Sequence, residues 1–266
     1  MKRFLLGTFL IVLSFGLIAW PAQASSRQAY QDYQYQFDVY RQRLSDYRVA
    51  LNQYQQFKSL AAQQDTVEKV KLYIAQRDNV AKTYFLFLNE KLSENPGFGA
   101  SELSTYRPII TNQIAFLDQN VVLAPSIASL EDAQTVSEKF EANYEIMQSA
   151  YRQLIIAIEL GYLNYFAKRF DAAVGHAQTL IAASRPDSSA QKQAIMDRWL
   201  LALSNKHSLY QQKANTIRST IPKIVGDVQQ QDRLFQQVQT TINAARQDLV
   251  EAGSYLKELE TALKYD

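Results

Sequence analysis

The chain has 266 residues, with 28 Lys and Arg against 26 Asp and Glu, two His and no Cys. Without Cys there is no disulfide framework, thiolate metal site or thiol nucleophile, and two histidines leave little room for imidazole chemistry. At roughly 100 to 200 residues per domain, this length suits one large or two small domains with a substantial core.

In chain order, residues 1–24 come first. Met1-Lys2-Arg3 is basic, Phe4 to Trp20 carries no charge, and Pro21 precedes Ala22-Gln23-Ala24. This is the pattern of a secretory signal cut between Ala24 and Ser25. The uncharged run is shorter than the about 20 residues that span a bilayer, so cleavage is favoured over an uncleaved anchor and no membrane span is expected afterwards. No Cys follows the segment to accept a lipid. Removal of residues 1–24 leaves 242 residues, in which 26 basic side chains balance 26 acidic ones. A neutral, mixed surface gives no electrostatic footprint for nucleic acid or an anionic membrane. The expected destination is extracytoplasmic, periplasmic or secreted, in a bacterium; the lack of an Asn-x-Ser/Thr sequon fits that source.

The remaining 242 residues hold only six Gly and five Pro. A β-sandwich or a doubly wound α/β fold needs more turn residues than that, so the fold class is all-α. The first helix is marked by Tyr30, Tyr33, Phe37, Tyr40, Leu44, Tyr47, Leu51 and Tyr54, spaced alternately by three and four. That spacing places all eight on one stripe and repeats every seven residues, as in a coiled coil. A second helix is expected after Asp65, with Asp65 as its cap, Glu68 as the reciprocal partner, and Arg77 interrupting the apolar pattern. Residues 61–68 are therefore read as a turn or a bend.

Residues 93–101 form the one strong loop. A short third helix follows, with Pro108 in its first turn and Pro125 at its end. A long fourth helix is expected from about Ser129 to Ala183, a fifth after the Arg185–Ser189 turn, and a sixth restarting at Pro222. In the sixth, Val228, Phe235, Ile242, Leu249, Leu256 and Leu263 recur every seven residues, with Val238, Ala245, Ala252 and Leu259 in the second seam position. The expected architecture is an elongated antiparallel helical bundle of about six helices built from coiled-coil hairpins. Its regions are the signal peptide at 1–24, an N-terminal hairpin with a short third helix at 25–124, and a C-terminal bundle of three long helices at 125–266. The two helical regions can share one core.

Two features point toward function. Leu154 to Phe166 contains only Glu159 and Asn164 as polar residues, and a helix apolar on all faces must be surrounded. Glu159 is suspect there, because a buried carboxylate needs a partner or a raised pKa. Gly161 permits close approach, so Glu159, Gly161 and Tyr162 form the candidate pocket. The second feature is the tyrosine stripe, Tyr30, Tyr33, Tyr40, Tyr47 and Tyr54, read either as packing on the second helix or as a face for a protein partner. His176 and His207 have no acidic residue three or four positions away, and no phosphate loop, nucleophile elbow or zinc motif occurs. No catalytic, cofactor-binding or metal-binding residue is assigned. The expected function is a non-catalytic extracytoplasmic scaffold that binds a protein partner, or itself, through apolar and aromatic helix faces. The alternative is a small-molecule-binding or sensory bundle with its pocket at Glu159.

Overall fold

The computed structural model describes residues 25–264, which form six α-helices: α1 (Ser26–Phe57), α2 (Leu60–Ser93), α3 (Ala100–Leu123), α4 (Leu130–Ser184), α5 (Ala190–Thr220) and α6 (Val228–Lys264). The described residues contain no strand, and the expected all-α class holds. The signal segment inferred at residues 1–24 lies outside the described residues.

Three turns differ from the sequence reading. α1 and α2 are joined by Lys58 and Ser59 alone, not by a turn or bend at 61–68. Lys58 adopts the left-handed conformation, φ 51 and ψ 24, and its N–H donates to the Tyr54 carbonyl, while the Ser59 hydroxyl accepts from Ala62 N–H. One left-handed lysine costs on the order of 1–2 kcal/mol, which two closed caps and the packed hairpin offset, so neither Gly nor Pro is needed. Asp65 is consequently an exposed residue inside α2 and caps nothing. Pro108 likewise stands within α3 rather than in its first turn, because α3 already begins at Ala100, where the Glu102 carboxylate accepts from Gly99 N–H. Pro222 does not start α6. It sits in a 3-10 turn, Ile221–Lys223; the reversal follows at Gly226, φ +93, and Asp227 caps α6 by accepting from Gln230 N–H. The start of α4 agrees with the sequence: Ser129 and Asp132 cap it reciprocally.

At 1.5 Å per residue, the 55 residues of α4 extend about 80 Å, and every other part of the fold is arranged along that length. Val67, Val70 and Ile74 of α2 meet Ala133 and Val136 near its start. Phe85, Leu88 and Leu92 of α2, with Ile110 and Leu117 of α3, meet Met147, Leu154 and Ile158. Ile156, Ala157, Leu160 and Leu163 face the other way, onto Tyr210 and Ile217 of α5 and Val238 and Ile242 of α6. Beyond them Ala177 and Ile181 join Met196, Leu203, Ala252 and Leu259. The stretch that reads as apolar on all sides is thus the point at which α4 changes partners, with a different cluster on each flank.

The loop between α2 and α3 seals this point. Asn95 donates from Nδ2 to the Ile158 carbonyl at 2.7 Å and accepts from Gly97 N–H at 3.0 Å. A Cβ on Gly97 would stand 1.7 Å from the Gly161 carbonyl oxygen, and one on Gly161 would stand 2.7 Å from Asn95 Nδ2. Gly161 therefore serves close approach, as its sequence setting suggests, but of a loop rather than a helix.

Candidate functional site: the groove between α4 and α6

Helices α4 and α6 run parallel and pack directly on each other, with the antiparallel α5 between them in sequence. Their register is set by Arg152 to Asp232 at 2.5 Å and by Gln239, which donates to Glu159 at 3.2 Å; both pairs lie 80 residues apart. Downstream of these ties, Glu159, Tyr162, Leu163, Phe166 and Phe170 fall on one stripe of α4, and Arg246, Leu249 and Val250 on the facing stripe of α6. Together they line an open groove of about 460 Å³. Leu163 forms a buried floor, while Phe166 and Val250 are 57% and 61% exposed. A ring left more than half in water beside an apolar floor is the kind of surface that a partner covers.

Of the three residues expected to form a pocket, Glu159 and Tyr162 line this groove. Gly161 does not: one residue further round the helix, it faces Asn95 and Gly97. Glu159 is half-buried at the groove's edge, where Gln239 and solvent satisfy it, and it is not the buried carboxylate that its neighbours suggest. The deeply buried carboxylates are Asp78 and Asp248. Asp78 accepts from Arg77 Nε at 2.9 Å and from Asn120 Nδ2, and the Arg77 guanidinium lies 3.8 Å over the Phe140 ring. Burial raises the Asp78 carboxyl above its ordinary range against the opposing pull of Arg77 and Asn120. Asp248 is held by Lys213 and Lys206 of α5. Arg77, which reads as a flaw in an apolar stripe, is a largely covered cation whose partner is its neighbour in sequence, the fully buried Asp78. Gln231 is a second polar seam residue. It lies seven before Val238, is fully buried, and donates to the Glu145 and Gly226 carbonyls. The seven-residue register extended by one step would have found it.

The tyrosine stripe mostly packs inward. Tyr33 meets Tyr84 at 5.0 Å, Tyr40 and Tyr47 flank Tyr73 at 5.7 and 5.5 Å, and Tyr30 meets Phe87 at 5.3 Å. Gln76 adds hydrogen bonds to the Gln36 carbonyl and side chain. Burial first, and Tyr40 second, push the Tyr73 phenol up to about 12. Tyr54 lies under the Lys58 ammonium, and only the outer edge at Tyr30 and Phe37 is open. His207 obtains an acidic partner that local spacing cannot show: Asp171 of α4, at 3.1 Å. His176 is exposed.

Among the described residues no group of three or more His, Cys, Asp or Glu is placed to hold a metal ion, and no helix is long and apolar enough to cross a membrane. No protein-family model, curated protein or solved structure matches this chain.

Proposed function

We propose that this chain is a non-catalytic, extracytoplasmic helical scaffold that grips a protein partner, and that the grip is the α4/α6 groove. The observation that carries this reading is the pair of exposed side chains, Phe166 and Val250, over the buried Leu163 on two helices in fixed register. A binding face built on rigid helices needs little ordering when it engages, so more of the contact energy is left for affinity. The α4 rod of about 80 Å supplies reach, and the aromatic edge at Tyr30 and Phe37 offers a second, smaller contact region. Export rests on the basic and uncharged pattern of residues 1–24, and fractionation with mass measurement of a mature chain beginning at Ser25 checks it.

The groove's volume, within the roughly 300–1,000 Å³ typical of small-molecule sites, also favours a second reading as an apolar-ligand pocket. A photo-crosslinking residue placed at Phe166, at Val250, or at Leu201 on α5 separates the two. Leu201 is equally exposed, at 63%, but lies outside the groove. Protein adducts at the two groove positions and none at Leu201 support the scaffold. Absence of adducts, together with a saturable small-molecule thermal shift that Phe166→Ala abolishes, replaces it with the pocket reading.

A further inference from the structure

We infer that Glu94 is the receptor for the amino terminus of the processed chain: removal of residues 1–24 creates an ammonium group on Ser25 that pairs with the Glu94 carboxylate and fastens α1 to the end of α2. The inference rests on export with cleavage after Ala24, and it concerns a part of the molecule away from the α4/α6 groove.

Sequence and structure meet at the same bond. The Ala22-Gln23-Ala24 pattern places the cut before Ser25. Ser25 is also the N-cap of α1: its hydroxyl accepts from Gln28 N–H and its carbonyl from Ala29 N–H. A cut there leaves the helix and its cap whole, whereas a cut one residue later removes both acceptors. Ser26, next in the chain, is 6% exposed; its N–H donates to Glu94 Oε1 at 2.7 Å and its hydroxyl donates to Glu94 Oε2. With Ser25 extended at ψ 155, standard bond lengths put its nitrogen about 3.6 Å from that of Ser26, hence no more than about 6 Å from Oε1. Each Glu94 oxygen accepts one hydrogen bond from Ser26 and has a further lone pair to offer.

The charge created by the cut then needs a partner. Hydrolysis of the Ala24–Ser25 amide adds water's hydroxyl to the Ala24 carbonyl carbon, which leaves as a carboxylate on residues 1–24. The hydrogen goes to the Ser25 nitrogen, an amine that is protonated at neutral pH. This cation stands at the positive end of the α1 macrodipole, beside Arg27, in a first turn that carries no acid. The first acid of α1 is Asp32, which accepts from Gln28. Left alone, the new charge would loosen the turn. Glu94 supplies the missing anion from the C-cap of α2. Of the other charged side chains at this corner, Lys91 lies over the Phe87 ring, Glu90 accepts from Asn89, and Glu102 accepts from Gly99 N–H. In the precursor the Ser25 nitrogen is a neutral amide, so the pair exists only after processing.

The sign of the pH dependence follows. Pairing favours the charged amine, so its pKa in the folded chain lies above the unfolded value of about 8, and the fastening is lost as pH rises through the raised value. Glu94 is exposed, so the rise should be about 0.3–0.5 unit, equivalent to a two- to threefold gain in protection of the first turn.

NMR titration of a chain released from a fusion so that it begins at Ser25 tests the inference, with helicity checked by circular dichroism. The amino group should titrate about 0.3–0.5 unit above its ordinary value in the wild-type chain and at the ordinary value in Glu94→Gln. Acetylation of Ser25, which removes the charge and leaves every side chain in place, should lower protection of the Ala29 amide two- to threefold in wild type and leave Glu94→Gln unaffected. An ordinary amino pKa in the wild-type chain, a shift that persists in Glu94→Gln, or indifference to acetylation overturns the inference. The mass of the exported chain separates this failure from that of the export reading. A first residue other than Ser25 overturns cleavage after Ala24 and the inference with it; a chain that begins at Ser25 and titrates ordinarily overturns the pairing alone.

Discussion

The two hairpins at the ends of α4 solve one packing problem with different side chains. In α5/α6 the seam is aliphatic and closed: Val238, Ile242, Ala245, Ala252 and Leu259 are at most 3% exposed. In α1/α2 the outer helix buries only Ser26, Ala29 and Ala50 completely, and its seam is a row of half-exposed rings. Aliphatic seams gain from excluding water on every side; a tyrosine row gains from ring contact while its hydroxyls keep their water. The α5/α6 hairpin should therefore open only with global unfolding, whereas α1 should peel from α2 at lower free energy.

The largest break in this contrast comes from Ile242→Ala. Ile242 is fully buried where α4, α5 and α6 meet, so truncation should destabilise the whole chain by about 2–5 kcal/mol, measured by denaturant unfolding. Tyr47→Ala removes a ring that is stacked but only half-buried, and should cost about 0.5–1.5 kcal/mol of ring contact, concentrated in faster hydrogen exchange along α1. Equal losses at the two sites would erase the distinction between closed and open seams.

Next in size is Gly97→Ala, which acts where the two regions meet. The added Cβ would lie 1.7 Å from the Gly161 carbonyl oxygen, a backbone atom that no rotamer change can move. The loop must lift, breaking the Asn95 bond to Ile158, at a cost of about 1–3 kcal/mol in chemical denaturation. If α4 couples the regions, exchange should quicken on both α2 and α5. Quickening on α2 alone would show that they unfold independently.

How much of this was legible beforehand follows the same division. In α6 the series Val238, Ala245, Ala252 and Leu259 is buried throughout, as small and aliphatic side chains at seven-residue spacing have few alternatives, whereas in the other series only Ile242 is closed and Val228, Phe235, Leu249, Leu256 and Leu263 stay half-buried. The tyrosine stripe predicts a helix and a face but not what the face touches, since a half-buried ring suits an internal seam and a docking surface equally well. Turns were least legible. Lys58-Ser59 closes a hairpin without Gly or Pro because caps supplied by backbone and hydroxyl groups suffice, and composition does not register them. Long-range polar pairs were invisible for a different reason: Asp248 with Lys206 and Lys213, or His207 with Asp171, depend on which helices become neighbours. Glu159 and Tyr162 stand out in an apolar stretch of sequence and both line the groove, Glu159 at its half-buried edge, yet the groove needs Arg246, Leu249 and Val250 from α6, which only the parallel register brings to it.

Alkaline titration sharpens the contrast further. Burial is the chief cause that raises both Tyr73, in the α1/α2 seam, and Tyr210, in the α5 core, to about 12. A phenol whose folded pKa exceeds its unfolded 10.0 contributes stability that is complete below pH 10 and is lost as pH rises toward 12. After discounting for solvent, each contributes on the order of 1–2 kcal/mol. Tyr73→Phe should shift the alkaline loss of α1 helicity to higher pH while leaving the unfolding of the α5/α6 half in place. Tyr210→Phe cannot be so clean, because it also removes the hydroxyl that donates to Asn164 at 2.8 Å.

The smallest effect sits at the open end of the looser hairpin, opposite its Lys58-Ser59 turn. Glu94 accepts from Ser26 N–H at 2.7 Å and from the Ser26 hydroxyl, fastening the first turn of α1 to the end of α2. These two hydrogen bonds hold its carboxyl below the usual 4.5, so the folded state prefers the charged form. The stability from this contact is accordingly present above pH 4.5 and disappears as pH falls through the lowered value. The group is largely exposed, so the effect is a few tenths of a kcal/mol. Glu94→Gln should lower exchange protection at the α1 N-terminus near neutrality, match wild type in acid, and leave α6 unchanged at both. A difference that persisted in acid would mean that shape rather than charge holds the turn, and α1 would then be fastened much as α6 is.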